Sequence, residues 1–282
     1  MADLFAEAFD PEFHAVSVYE TAAGWTAEIL FHAETERGLI EAVVERGAGR
    51  LGAEALTFST IATRDWVAAS LEGLAPVVAG RFVMHGSHNR GRVRPNQLGI
   101  EIEAALAFGT GHHGTTRGCL LAFERLLKRA RSPHSWCILD IGTGTGVLAI
   151  AAARALHIRI LASDIDPAAV AVARENARHN HAAALVSVFT AAGVEARRLR
   201  SGGPYDLIFA NILEGPLRRM SARTAPLLAP AGRIVLSGLL PIHANGVIAA
   251  YRRQGLALES RLTLEGWTTL TMRRGPKAQR PG

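Results

Sequence analysis

The sequence is poor in several residues that would each point to a particular kind of protein. It holds two cysteines, Cys119 and Cys137, in 282 residues. That number gives neither a disulfide framework nor a zinc-ligand spacing, and it suits a compartment where thiols stay reduced. No apolar run approaches the roughly 18 residues needed to cross a bilayer. The opening MADLFAEAFDPEF carries acids and no basic stretch ahead of an apolar block, so no secretory signal is expected. Lysine is nearly absent: of 31 basic residues only Lys128 and Lys277 are lysine. Aromatics make up 6%. What remains is 49% hydrophobic and 20% charged, the balance of a folded chain with room for a sizeable core and too apolar to be disordered. The expectation is a cytoplasmic protein.

The charge is unevenly spread. Residues 1–80 hold 13 Asp and Glu against 4 Arg, a net of −9, whereas residues 81–282 hold 12 acids against 27 Lys and Arg, a net of +15. Such an asymmetry suggests two modules with different partners, although an arginine bias of the genome would also raise the basic total.

The hydrophobic patterning divides at about the same place. Strands are predicted over 13–19, 25–31, 55–61 and 77–85, with helices over 36–47 and 64–74. Together they predict a small α+β module with an antiparallel sheet over residues 1–85. Residues 86–97 (GSHNRGRVRPNQ) are polar, basic and broken by Gly and Pro, and are expected to form a linker or an exposed loop. From 98 to 275, short apolar strands alternate with helices. The strands are 137–141, 159–164, 184–190, 205–210, 233–237, 256–264 and 267–273. The helices are 115–130, 147–156, 168–180, 214–228 and 243–254. This rhythm predicts an α/β domain with a mostly parallel sheet. Only Glu265-Gly266 separates the last two strands, which should close the sheet as an antiparallel hairpin. The tail 276–282 is expected to be disordered.

The strongest local pattern is Cys137-Ile-Leu-Asp-Ile-Gly-Thr-Gly-Thr-Gly-Val-Leu-Ala-Ile. A buried strand runs into Gly142, Gly144 and Gly146, and a helix opens directly behind them. Glycines there let a ligand approach the backbone, with helix N–H groups facing it. Asp164 follows 22 residues after Gly142, at the end of the next strand, where a carboxylate can accept both hydroxyls of a ribose. The spacing is G-x-G-x-G. A dinucleotide site needs its third glycine where Val147 stands, so NAD and FAD are disfavoured, and an adenosyl ligand without phosphate, S-adenosylmethionine, fits better. Asp140 could face the cationic methionine end of such a ligand or simply accept the amides of the turn.

Four blocks in order resemble one family. They are Leu106-Ala-Phe-Gly-Thr-Gly-His-His-Gly-Thr-Thr116, Leu139-Asp-Ile-Gly-Thr-Gly-Thr-Gly146, Ser163-Asp-Ile-Asp-Pro167 and Ala210-Asn-Ile-Leu213. The chain is similar over essentially its whole length to the PrmA family, the methyltransferases of ribosomal protein L11. The resemblance implies a Rossmann-like class I methyltransferase domain, with S-adenosylmethionine as methyl donor. It also implies an N-terminal ferredoxin-like domain that recognises a basic protein of the large ribosomal subunit. Its cofactor contacts carry over to Thr116, Gly142, Asp164 and Asn211, with Gly144 beside them in the turn. Two departures stand out: Glu103-Ala104-Ala105 replaces Asp-Pro-Gly, and His112-His113-Gly114-Thr115-Thr116 replaces Thr-His-Pro-Thr-Thr. Losing both prolines leaves that loop less rigid.

The other candidates admit two readings each. Thr116 could cap its helix or donate its hydroxyl to the methionine carboxylate. Phe108 could anchor its loop or touch adenine. His112 and His113 lack a third ligand nearby, so no metal is expected. Cys119 and Cys137 read as core residues, and Glu214 as the N-terminal acid of a helix. Asn211 is the candidate catalytic residue. At a strand end beside the glycine turn, it could orient an amine or merely terminate the strand. Asn-Ile-Leu-Glu stands where Asn-Pro-Pro-Tyr would stack the exocyclic amine of a base, which favours an aliphatic amine. The expected reaction is methylation of lysine side chains, of an N-terminal α-amine, or of both. An rRNA or tRNA methyltransferase is the alternative, and a non-catalytic assembly factor ranks last. No direct nucleic-acid readout and no membrane partner are expected, and the protein should be a monomer.

Overall fold

The computed structural model describes residues 15–21, 24–30, 37–38, 40–41, 44–45, 56–58, 76–102 and 113–275. The chain divides into two compact units, Met1–Trp66 and Val67–Gly282.

In the first unit, strands β1 (Ala15–Thr21) and β2 (Gly24–Leu30) pair antiparallel, from Ala15 opposite Leu30 to Thr21 opposite Gly24. Residues 37–38, 40–41 and 44–45 are helical. Ile40 and Val44 sit one turn apart and are both buried, as the 3.6-residue period requires. The Arg37 guanidinium lies 5.2 Å from the centre of the Phe58 ring. The predicted helix over 64–74 and most of the strand over 55–61 lie outside the described residues, as does the tail from 276.

The second unit begins earlier than the sequence pattern suggests. Residues 77–85 are two strands, β3 (Val77–Ala79) and β4 (Phe82–His85), folded back on each other at Gly80-Arg81. Strand β4 pairs parallel with β5 (Leu98–Glu101). The stretch 86–97 is therefore the internal connection of a three-stranded sheet and not a linker between domains. Much of it is a short helical turn, Ser87–Arg92, with Asn89 buried. Packing explains the assignment. The Phe82 ring stacks on Phe123, 5.6 Å between centroids, and Phe123 meets Phe209 edge-on at 5.5 Å. Strand β5 is also fixed from the other side, because Asn180 accepts the Glu101 N–H (2.8 Å) and donates to the Glu101 carbonyl (2.7 Å).

The main sheet has seven strands in the order β11-β12-β10-β9-β6-β7-β8. They are β6 (Ile138–Ile141), β7 (Ile160–Asp164), β8 (Val186–Thr190), β9 (Tyr205–Asn211), β10 (Leu228–Leu239), β11 (Leu256–Leu264) and β12 (Trp267–Arg274). Strands β6 to β10 run parallel, and β12 is antiparallel to both of its neighbours, β10 and β11. This is the α/β, Rossmann-like class I methyltransferase architecture, closed by the expected C-terminal hairpin. Glu265 and Gly266 both take positive φ, 50° and 78°, the conformation a two-residue hairpin of right-handed twist demands.

Alternation along the strands supplies a core on each face. Leu207 and Phe209 of β9 join one cluster with helices α1 (His113–Arg129), α2 (Val147–Leu156) and α3 (Pro167–His179). Ile208 and Ala210 join the other, with α5 (Glu214–Arg219) and α7 (Ala244–Arg252). Between them in sequence lie the short helices α4 (Arg197–Ser201), which the sequence pattern missed, and α6 (Ser221–Thr224). The single helix predicted over 214–228 is broken into α5, α6 and a final turn over Ala225–Leu227, and β10 then starts at Leu228. Pro226, within that final turn, has no N–H for an α-helical bond. Among the described residues, no helix is long and apolar enough to cross a membrane.

Candidate active site

The site is built at the carboxyl ends of β6, β7, β9 and β10, where a parallel sheet leaves a crevice for ligands. After β6 the chain turns through Gly142, Gly144 and Gly146, all with left-handed φ of 67°, 54° and 84°. The turn is tied to β7, since the Gly142 and Thr143 N–H groups donate to the Ser163 carbonyl at 2.8 and 3.0 Å. Helix α2 starts directly behind it at Val147.

Asp164 ends β7 and is drawn into the turn. Its Oδ2 accepts the Gly144 N–H at 2.8 Å and its Oδ1 accepts the Asp166 N–H at 3.0 Å. Each carboxylate oxygen can accept a second bond. The carboxylate is thus oriented by backbone while keeping capacity for a pair of hydroxyls. Asp166 caps α3 by accepting the Ala168 N–H, with Pro167 in the first helical position.

Asp140 is 1% exposed. Its Oδ2 accepts the Thr143 hydroxyl at 2.6 Å and the Ala149 N–H at 3.2 Å, while Oδ1 has no partner. Burial pushes the carboxyl up to about 7, against the downward pull of the two hydrogen bonds, with the nearby Asp164 charge adding to the rise. Of the two readings open at this position, the turn-acceptor one describes Oδ2, and the orphaned Oδ1 leaves an acceptor unused.

On the other side of the turn, Asn211 ends β9 opposite Ser237 of β10. The run that follows it is gripped twice. A methyl placed on Gly142 would come 2.3 Å from Ile212 Cγ2, and one on Gly238, whose φ is 85°, would come 2.3 Å from the Ile212 carbonyl oxygen. Only glycine fits on both sides of Ile212, and this fixes the exit of β9. The Asn211 amide nitrogen lies 3.4 Å from both the Thr115 and Thr116 hydroxyls. Those threonines are buried in the first turns of α1. Ser237 supports them from below, donating toward the Thr115 carbonyl (3.3 Å) and sharing a hydrogen bond with the Thr269 hydroxyl (3.0 Å).

The structure therefore gathers Thr116, Asn211, Gly142, Gly144 and Asp164 around one crevice. Phe108 and His112 lie outside the described residues, and His113 is the first residue of α1. Among the described residues, no group of three or more His, Cys, Asp or Glu could hold a metal ion. Cys119 is fully buried, which raises its thiol pKa well above the usual range. The Cys137 thiol donates to the Gly202 carbonyl. Glu214 opens α5 and pairs with Arg218 at 2.9 Å. Sequence reasoning passed over three exposed apolar side chains. Ile165 and Leu213 are each 71% exposed and Ile242 is 83% exposed, all just past the carboxyl ends of strands. Ile165 had a readable signal, being an apolar residue set between two aspartates in a loop. Ser237 had none, because its role depends on β10 lying beside β9.

The chain matches the family model of the ribosomal protein L11 methyltransferase (PrmA) over residues 7–275. It belongs to the L11 methyltransferase family. A ribosomal protein L11 methyltransferase of Bradyrhizobium diazoefficiens is 50% identical over 275 residues, covering 97% of this chain and 92% of that one. One of Rhodopseudomonas palustris is 50% identical over 273 residues, covering 96% and 92%. The crystal structure of a ribosomal protein L11 methylase from Lactobacillus delbrueckii subsp. bulgaricus superposes with a TM-score of 0.63 at 24% identity, over 72% of this chain and all of that one, which speaks for the fold. As a member of the L11 methyltransferase family, the chain is an S-adenosylmethionine-dependent enzyme. Its crevice fits that cofactor on its own terms: a turn stripped of side chains, an oriented carboxylate with free acceptor positions, and an unpartnered Asp140 oxygen beneath the turn.

Proposed function

We propose that the enzyme methylates amines of ribosomal protein L11, on lysine side chains, on the N-terminal α-amine, or on both, and that it does so in the cytoplasm as a monomer. The observation that carries this reading is the placement of Asn211. Its amide nitrogen faces two threonine hydroxyls, which leaves its carbonyl oxygen to accept an N–H from an incoming amine. Asp164 is suited to hold the ribose hydroxyls, and the Gly142–Gly146 turn to lie against the methionine end, with Thr116 beside it.

When bound, S-adenosylmethionine would supply an electrophilic methyl on a sulfonium, with a neutral thioether as the leaving group. The chain's own part is alignment, because an in-line displacement depends mostly on geometry. The acceptor must arrive uncharged. An α-amine near pKa 8 is partly so at neutral pH, whereas a lysine near 10.4 is not. Ile165 and Leu213, exposed apolar side chains next to Asp164 and near Asn211 in sequence, are suited to remove water from an approaching lysine and so to lower its pKa without a dedicated base. The proton released then passes to solvent. The acidic N-terminal unit, within a stretch of net −9, suits a basic protein substrate.

The test uses the full chain with methyl-labelled cofactor, offered purified large-subunit proteins and, separately, rRNA. Label on L11 amines is expected, and label only in RNA overturns the proposal.

A further inference from the structure

At the far edge of the main sheet, around the amino ends of its parallel strands, there is a cavity of about 480 Å³. It opens between the starts of β6, β7 and β8 and the end of α4, with Ile138, Ile160 and Val186 in its walls. Two cations line it, Arg159 and Arg198.

Arg198 is exposed yet held in place. Its guanidinium donates to Ser187 Oγ at 2.6 Å and lies 4.8 Å from the centre of the Phe189 ring. Arg159 is exposed, and so are Arg197 and Arg200 on α4. None of these four has a carboxylate within ion-pair distance among the described residues.

Most acids of the unit are committed elsewhere. Every glutamate of residues 113–275 pairs with a cation: Glu124 with Lys128, Glu175 with Arg178, Glu195 with Arg223, Glu214 with Arg218, Glu259 with Arg233 and Glu265 with Arg117. Asp206, at the start of β9, accepts the Cys137 N–H at 2.8 Å. Asp140 is buried in the glycine turn, and Asp164 and Asp166 belong to the opposite ends of the strands. Asp206 is thus the carboxylate that remains beside the cavity, set against the cations of Arg159, Arg198, Arg197 and Arg200, and positive charge is in excess there.

We infer that this edge is a docking surface for an RNA backbone, with phosphates seated between Arg159 and Arg198 and along α4. A guanidinium already fixed by stacking and a hydrogen bond presents its remaining donors in the fork that a phosphate accepts bidentately. Several unpaired arginines along one edge suit the repeating charge of a sugar–phosphate chain. Such contacts hold RNA without reading its bases. Because the glycine turn lies at the other ends of the same strands, RNA on this edge leaves the methyl-transfer crevice open. A protein substrate still attached to its RNA could be gripped and modified at once.

The test is fluorescence anisotropy with the full chain and a labelled single-stranded RNA long enough to span several phosphates, titrated at a series of salt concentrations. The parent chain should bind, with log K falling linearly in log salt. The double variant Arg159→Glu/Arg198→Gln should bind about tenfold more weakly or worse at low salt. Its salt slope should be shallower by about 1.4, the loss of two single-strand phosphate contacts. Methylation of free substrate protein should be unchanged. Arg159→Glu alone touches no described carboxylate and repeats the test with half the slope change, should the double variant fold poorly. The inference is overturned if the parent fails to bind RNA at low salt, or if both variants keep its affinity and slope. It is equally overturned if polyglutamate displaces the RNA at matched charge, since the surface would then serve acidic protein. None of these results depends on which amine is methylated.

Discussion

The grip of two glycines on Ile212 can be tested by a double-mutant cycle between Gly142 and Ile212. Gly142→Ala acts in two ways. It forces an L-residue into φ 67°, costing about 1–2 kcal/mol, and it drives a methyl to 2.3 Å from Ile212 Cγ2, costing about 1–3 kcal/mol as overpacking. The expected loss is roughly 2–5 kcal/mol. Ile212→Ala removes a half-buried side chain, for roughly 1–3 kcal/mol. In Gly142→Ala/Ile212→Ala the collision has no partner, while the φ cost and the lost apolar contact persist. The double variant should therefore fall short of the sum by about 1–3 kcal/mol, the collision alone. Urea denaturation of all four proteins, followed by far-ultraviolet circular dichroism, reads the coupling directly. Additivity within about 0.5 kcal/mol would refute the close approach. The same cycle read by calorimetry with S-adenosylmethionine separates a stability effect from damage to the crevice.

Other outcomes follow from the same geometry. Asp164→Ala should weaken S-adenosylmethionine binding by about 1–3 kcal/mol in calorimetry; unchanged affinity removes Asp164 from the ribose role. Asp140 ionises at about 7 when folded, against an ordinary 3.8, so the folded state holds an extra proton between those values and this group lowers stability as pH rises through them. Asp140→Asn should accordingly gain stability relative to the parent as pH climbs from about 4 to about 7, read as the difference between their denaturation midpoints. A constant difference would show that the carboxyl is ionised throughout. Removing residues 1–66 should abolish methylation of the protein substrate and leave cofactor affinity within about twofold, since the glycine turn, Asp164 and Asn211 all lie in the second unit. Full activity of the shortened chain would end the substrate-recognition reading of the first unit.

Much of the second unit was legible because its rules are local. The strand–glycine turn–helix pattern at 137–156 and the hairpin at Glu265-Gly266 are written in adjacent residues, and the structure has both. Asp164 could be placed at a strand end from spacing alone. What failed was non-local. Residues 77–85 read as one extended run because nothing within them shows that Phe82 packs on Phe123, 41 positions along, or that β4 pairs with β5. The polar, Gly- and Pro-containing stretch 86–97 resembles a linker in composition, yet both its ends are strands of one sheet. The roles of Ser237 and Gly238 emerge only once β10 lies beside β9.

The support beneath Thr115 reaches across 122 residues to Ser237 and further still to Thr269 of the closing hairpin. A polypeptide emerging from the ribosome therefore exposes its glycine turn long before the props for those threonines exist. The crevice is finished only by strands made more than a hundred residues after the glycine turn, so a nascent chain that lacks them is not yet an active enzyme. Any cut that removes the hairpin should disable the catalyst, and it also strips Leu270 and Met272 from the core.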